Sequence, residues 1–479
     1  MVMNVILTTS NFFFPLITYS YVARKLLPAG TGKVAFVQSV LAYFTYISAL
    51  GISTYGIREC AKVRNDKEKL SKLVQELFFI NLLSTIVAYV LLIYTINFVP
   101  KFHGYSKLFL IMSISIGLQT LGVEWLYTAL EKYTYITIRS LIFKLISVIL
   151  TFLLIKGPED YVMYGGLTVF TTSASYILNF FNAKKYVLLK KFDNYNLKRH
   201  LKPIMVFFFT IIITTVYGHF DSLMLGFMQG DNAVGVYNAA LKMKTIVLSF
   251  STSVTSVLIP RMSVYVAQKD TKRFNELLVK SLRVTYILLI PLVIFVFINS
   301  SDILLFICGP EYLNANDTLR VLMICVIALS FTNIFGNQIL IPKGDEKRYS
   351  MSVFLGMFIN LGLNYMLIPC FSSAGAAIAT LATESFNMMW MGHGAREEIK
   401  YMFKNVNSVK YLLALGVSIL IELIVNKTFA GLHVFFRLSI GTLAMFCVYY
   451  FILYLLKEPI LCGVLNNLKY RIYNKGRSK

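Results

Sequence analysis

Charged side chains inside long apolar runs are the residues of this chain with the most chemistry to offer. Six bases lie in such runs: Arg139, Lys144, Lys242, Lys244, Arg320 and Arg437. Three clear acids do so: Glu124, Asp221 and Glu384. A charge in apolar surroundings is costly and is kept where it faces a polar cavity or a partner. Guanidinium and ammonium groups in a cavity suit an anion such as a phosphate. A carboxylate there binds and releases a proton, or ligates Na+. His219, two residues before Asp221, adds a lesser titratable group. The excess of bases favours an anionic ligand over a cationic one. Arg139 and Lys144 are about 140° apart around an ideal helix, so only a wide cavity takes both. Lys242 and Lys244 point to different sides, and one of them is expected to face the cavity. For each charge the alternative is an interhelical ion pair. Arg320 and Arg437, near the ends of their runs, read more simply as snorkelling to an interface. Trp125, beside Glu124, is the aromatic best placed to stack on a ligand ring. No P-loop, HExxH, Ser/His/Asp or paired-carboxylate signature is visible.

The elements that must hold these charges are set by composition. Of 479 residues, 57% are hydrophobic and 14% charged, against about 25% charged in an ordinary soluble domain. This excludes a soluble enzyme, a disordered chain and a secreted disulfide scaffold. The six cysteines (Cys60, Cys308, Cys325, Cys370, Cys447, Cys462) show no CxxC spacing and read as small buried hydrophobes, not as a metal site. The chain reads as an all-α integral membrane protein. A hydrocarbon core takes about 20 apolar residues per helix. Fourteen stretches qualify, near 2–23, 34–56, 75–97, 107–130, 136–155, 162–182, 203–228, 233–258, 284–300, 318–341, 350–369, 375–393, 411–426 and 433–456. Nine prolines fall in or beside connections: Pro28, Pro100, Pro158, Pro203, Pro260, Pro310, Pro342, Pro369 and Pro459. Pro15 and Pro291 fall inside spans, where kinks are expected. No cleavable signal peptide is expected, and the first run reads as a span. Alternate loops hold 33 Lys and Arg against 7 in the others, which places both termini in the cytoplasm. The net charge of +23 is thus mainly topological. It suits an anionic lipid leaflet rather than nucleic acid.

The halves of the chain repeat weakly. Gly32 and Arg58 match Gly235 and Arg261 at one offset. The segment Arg64–Leu70 matches Gln268–Phe274, and Glu131-Lys132 matches Glu346-Lys347. Gly165 and Ser175 match Gly375 and Ser385. Six spans per repeat give halves that enter the membrane in the same direction. Two six-helix bundles are therefore expected, related by a pseudo-two-fold axis along the membrane normal, with two helices added. The limits are 1–190, 191–396 and 397–479. A cleft between such bundles is a transporter layout.

The segment Tyr21–Lys72 resembles the N-terminal region of Wzx-type polysaccharide flippases, of the multidrug/oligosaccharidyl-lipid/polysaccharide exporter superfamily. GVEWLYTALEKY (Gly122–Tyr133) is similar to that family's acidic-aromatic signature. FDSLMLGFMQGDNAVGVYNAALKM (Phe220–Met243) resembles its span 7–8 signature, with Asp221 at the acidic position, and AGAAIATLATES (Ala374–Ser385) its span 12. The family's usual longer segment before span 1 is not matched. The resemblance implies a transporter of the bacterial cytoplasmic membrane, not an enzyme. It implies movement of an undecaprenyl-diphosphate-linked oligosaccharide, the repeat unit of O-antigen, capsule or exopolysaccharide, from inner to outer leaflet. No cofactor or ATP site is expected, and an H+ or Na+ gradient is the expected energy source. A polysaccharide polymerase and a chain-length regulator are the partners it implies. In this reading Arg58 meets the incoming diphosphate and Arg24 guides it out, unless both are topology anchors. Arg139, Lys144, Lys242, Lys244 and Trp125 line the cavity, and Glu124, Asp221 and Glu384 couple the cation. The alternatives are a drug or organic-cation antiporter of the same superfamily and a membrane polysaccharide polymerase.

Overall fold

Apolar runs of this length satisfy their backbone in hydrocarbon by forming helices, and helices are what form. The computed structural model describes residues 2–463, without the side chains of 2–13, 15, 16, 210–217, 253, 254, 256 and 257. Pro15 and the basic tail beyond residue 463 therefore lie outside the described groups. The helices, in chain order, are α1 (Val2–Ala49), α2 (Ile52–Val63), α3 (Lys67–Phe98), α4 (Ser106–Gly122), α5 (Glu124–Ala129), α6 (Tyr133–Leu154), α7 (Tyr161–Val169), α8 (Tyr176–Ala183) and α9 (Lys198–Gln229). There follow α10 (Asp231–Ala267), α11 (Thr271–Val284), α12 (Ile290–Ile298), α13 (Ser300–Ile307), α14 (Asn316–Asn333), α15 (Glu346–Gly394), α16 (Arg396–Asn405), α17 (Ser408–Thr428) and α18 (Val434–Leu455).

Among the described residues, eight helical stretches are long and apolar enough to cross a membrane. Several other apolar runs are present as shorter helices in series. Val123, at φ 37°, divides the 107–130 run into α4 and α5. A π turn over Phe170–Ala174 divides 162–182. The long helices also contain breaks. In α1 the break is Leu27 (φ 60°, ψ 174°), the residue before Pro28, where the proline ring disfavours helical ψ. In α15 it is Ser372, at φ 51°, three residues after Pro369. Pro203, Pro260 and Pro369 depart from the expected positions in connections. They lie inside α9, α10 and α15, because those helices run on past their apolar limits. The kink expected at Pro291 takes the form of a π turn, Thr285–Leu289, just before it.

The repeated sequence segments fold alike. Asp66 caps α3 by accepting the Lys69 N–H at 3.1 Å, and Asp270 caps α11 by accepting the Arg273 N–H at 3.0 Å. These two caps sit in the aligned segments read from the sequence. A single 3₁₀ turn opened by proline precedes α4 (Pro100–Tyr105) and another precedes α14 (Pro310–Ala315).

The chain forms two compact units. One holds residues up to Asn238 together with Asn364–Ala376, and the other holds the remaining described residues. In the first, Trp125, Leu126, Tyr127 and Ile136 share a core with Leu77 of α3 and Ile204 of α9. In the second, Phe274, Leu278 and Leu282 of α11 pack with Met402 of α16 and Tyr449 of α18.

Candidate functional site

The break at Val123 sets up a polar cavity in the first unit. It turns Glu124 and Trp125, the first residues of α5, away from the line of α4. The cavity has a volume of about 280 Å³, and its polar lining includes Ser48, Asn81, Thr120, Glu124, Thr128 and Tyr176. The end of α1 furnishes one wall. Leu50 and Gly51 both have positive φ there, so the carbonyls of the last helical turn lose their usual partners. Asn81 Nδ2 and Ser84 Oγ donate to the Ser48 carbonyl at 2.7 and 2.6 Å. The Thr85 hydroxyl joins those of Ser48 and Thr120 at 2.7 Å each.

Two of the residues singled out from sequence, Glu124 and Trp125, line this cavity, and Arg139 reaches it through Glu124. Arg139 of α6 places Nη2 3.7 Å from Glu124 Oε2, with the arginine 4% and the glutamate 37% exposed. The guanidinium also lies over the rings of Tyr135 and Tyr176, at 5.9 and 5.5 Å. Its Nε and Nη1 have no hydrogen-bond partner among the described residues. Lys144, buried on the same helix, feels the charge of Glu124. Trp125 lines the cavity but is largely buried, because Gly56 of α2 lets the ring lie against its backbone. A Cβ at Gly56 would fall 2.8 Å from Trp125 Cε3. The cavity thus holds one carboxylate with the buried Arg139 guanidinium beside it, and aromatic faces and hydroxyls around them.

None of the other expected residues is among those that line this cavity. Asp221, buried on α9, accepts from the Tyr237 hydroxyl at 2.5 Å and from Asn364 Nδ2 at 2.7 Å. His219 is half-buried, with its ring near those of Tyr43 and Tyr46. Arg58 pairs with Glu59 at 3.0 Å and stacks over Tyr55 and Phe207. Arg24 is exposed one turn before the Leu27 break. Lys242 and Lys244 of α10 and Glu384 of α15 belong to the second unit. There the lysines are half-buried and Glu384 is buried. Arg320 donates to Ser300 Oγ at 3.1 Å, and Arg437 forms an ion pair with Asp302.

Gly32 and Gly235, matched in the repeat, touch the same junction within the first unit. A Cβ on Gly32 would fall 1.8 Å from the Asp231 carbonyl oxygen, and one on Gly235 would fall 1.9 Å from that of Pro28. The contact is reciprocal, since Pro28 and Asp231 are separated by the same offset as the two glycines. The Tyr105 hydroxyl donates to Asp231 Oδ1 at 2.6 Å, and Lys101 Nζ donates to the Gly226 carbonyl.

Sequence reasoning passed over three buried carboxylates, Glu76, Glu422 and Glu458. Glu422 lies inside the 411–426 run, so its signal was present. Glu76 lies inside α3, nine residues after its first, and finds its partners 120 to 124 residues away. It accepts from the Asn196 N–H at 2.8 Å, Arg199 Nη2 at 2.6 Å and His200 Nε2 at 3.0 Å. His200 Nδ1 in turn meets the Tyr55 hydroxyl at 2.8 Å, beside Arg58. This network ties the segment before α9 to α2 and α3. Glu76→Ala is expected to destabilise the chain by roughly 1–3 kcal/mol, since it leaves the buried His200 without its carboxylate. Thermal unfolding in detergent measures the loss, and limited proteolysis should then cut within 184–197. Unchanged unfolding and proteolysis would show that the network does not hold this segment.

Comparison with known proteins follows this geometry. Residues 1–266, more than half of the chain, match the polysaccharide biosynthesis protein family, and residues 207–366 match the MatE family. The chain is similar to two proteins that share the name "Putative O-antigen transporter". One, from Shigella dysenteriae, is 26% identical over 80% of this chain and 96% of its own length. The other, from Escherichia coli strain K12, is 23% identical over 78% of this chain and 91% of its own length. Among solved structures, the lipid II flippase MurJ in its inward closed conformation superposes with a TM-score of 0.76 at 17% identity. That match covers 96% of this chain and 99% of MurJ, and it is a likeness of fold. This multi-pass, all-helical membrane protein belongs to the polysaccharide biosynthesis protein family.

Proposed function

We propose that the chain is a flippase for an undecaprenyl-diphosphate-linked oligosaccharide. It carries the repeat unit of a surface polysaccharide (O-antigen, capsule or exopolysaccharide) from the inner to the outer leaflet of the bacterial cytoplasmic membrane. The similarity to the two O-antigen transporters, over nearly their whole length, carries this reading. The cavity charges support it. Arg139 and Lys144 outnumber Glu124, a balance suited to a diphosphate and its sugars.

The transport cycle follows from the same proposal. Fourteen spans form two six-helix bundles about a pseudo-two-fold axis, with limits 1–190 and 191–396, and helices 13 and 14 are added in 397–479. The paired caps at Asp66 and Asp270 and the reciprocal Gly32–Gly235 contact support the repeat. Both termini are cytoplasmic, which puts Arg58 on the entry side and Arg24 on the exit side. Lys242 and Lys244 extend the cationic path. Glu124, Asp221 and Glu384 couple the cycle to H+ or Na+. A polymerase and a chain-length regulator receive the flipped unit.

The MatE match over residues 207–366 favours a second reading, an organic-cation antiporter. The two buried bases of α6, Arg139 and Lys144, against the one carboxylate of the cavity argue against it. In cells depleted of the protein, mass spectrometry of lipid-linked oligosaccharides, together with surface polysaccharide, decides the matter. Complete repeat units should accumulate while surface polymer falls. If neither changes, the flippase reading fails and cation efflux is tested next. Single units capping the surface would indicate a polymerase.

A further inference from the structure

Glu422 is an acid that neither the cavity nor the repeat explains. It sits on α17 in the second unit and is fully buried. Asn299, at the junction of α12 and α13, donates Nδ2 to its Oε1 at 2.7 Å. Its Oε2 accepts no hydrogen bond among the described residues. One turn along α17, Asn426 donates Nδ2 to Asn299 Oδ1 at 2.9 Å, and its own Oδ1 also has no donor among the described residues. The third wall is Gly441 of α18. A Cβ there would lie 2.5 Å from Glu422 Oε1 and 2.9 Å from Oε2. The carboxylate therefore lies in a space that only glycine leaves open.

The surrounding charges are committed elsewhere. Asp302 of α13 and Arg437 of α18 pair with each other, and Arg437 also donates to the Ala430 carbonyl. Arg320 of α14 donates to Ser300 and lies over Phe297. Lys427 is exposed. No ion pair to Glu422 forms among the described residues. A buried carboxylate with an amide as its hydrogen-bond donor requires a neutralising charge. The donors are all oxygens with one negative charge between them, which suits a small hard cation of single charge.

We propose that Glu422, Asn299 and Asn426 form a binding site for a small monovalent cation, H+ or Na+, where α17 and α18 pack on the junction of α12 and α13. The site does not depend on the substrate reading, because cation occupancy is measured directly. The full chain is purified, and radioactive Na+ binding and thermal unfolding are followed across Na+ and pH series, with K+ as the ionic-strength control. In the Na+ arm, Na+ binds saturably and raises the Tm of wild type, and Glu422→Gln loses both effects. In the H+ arm, Na+ has no effect, and the wild-type Tm falls as pH rises while that of Glu422→Gln stays flat. If Glu422→Gln does not fold, Asn426→Ala decides, because it keeps the carboxylate. Na+ binding weakened roughly tenfold, or a lost pH response, supports the site. If these variants answer Na+ and pH as wild type does, the proposal is overturned and Glu422 is a structural acceptor.

Discussion

Gly235→Val is expected to abolish surface polysaccharide and to lower the stability of the first unit. The reason is distance. The shortest real Cβ contacts are near 3.0 Å, whereas a Cβ at Gly235 would lie 1.9 Å from the Pro28 carbonyl oxygen. Backbone, not a flexible side-chain tip, stands in the way, so the two helix starts must part by about 1 Å or more. Overpacking of this kind costs roughly 1–3 kcal/mol where the neighbours yield. In the proposed alternating cycle, loss of the contact also removes a stop at one end of the swing. Gly32→Val meets the Asp231 carbonyl in the same way, so it is expected to match Gly235→Val in both measurements. Gly416 is the control: nothing lies within 4 Å of its added Cβ, and Gly416→Ala should behave as wild type. If Gly32→Val and Gly235→Val keep normal surface polymer and normal unfolding, the junction has no role in transport.

Much of the fold was legible because hydrocarbon leaves the backbone few choices. Apolar run length therefore located the helices, and the proline at 28 marks the break at Leu27 through its own ring. Other breaks have no such signal. Val123 adopts φ 37° in an unbroken apolar run, and tertiary packing, not local propensity, holds it there. The charges of the cavity were legible as single residues. Their meeting was not, since Glu124 and Arg139 approach only because α5 turns away after Val123. Gly32 and Gly235 were legible as a match, but sequence spacing carries no sign that they touch the same junction. Lys242 and Lys244 were legible as costly charges, yet they belong to the second unit and are not among the residues lining the cavity. Glu76 and His200 were beyond reach, because their pairing spans 124 residues. Glu422 was within reach, as an acid in an apolar run.

The pair at the cavity should respond asymmetrically to removal of its two members. Arg139 is 4% exposed and Glu124 is 37% exposed. Glu124→Gln therefore strands the buried cation at 139, whereas Arg139→Leu leaves a carboxylate that water reaches. Breaking a fully buried pair costs about 3–5 kcal/mol. The partial exposure of Glu124 screens the pair, so roughly 2 kcal/mol is expected for Glu124→Gln and about 1 kcal/mol or less for Arg139→Leu. Transport should reverse that order. A charge-assisted bond to a phosphate is worth about 1.5–3 kcal/mol, so Arg139→Leu is expected to slow export by roughly tenfold to a hundredfold while folding normally. Arg139→Lys keeps the charge but loses the planar fork and the stack on Tyr135 and Tyr176, and should fall between. The double variant Glu124→Gln, Arg139→Leu separates the two effects. It removes the stranded arginine, so it should unfold at a higher temperature than Glu124→Gln alone, yet export no better than Arg139→Leu. A double variant no more stable than Glu124→Gln would mean that the carboxylate does not serve to balance Arg139. Normal export by Arg139→Leu would remove this arginine from the substrate path.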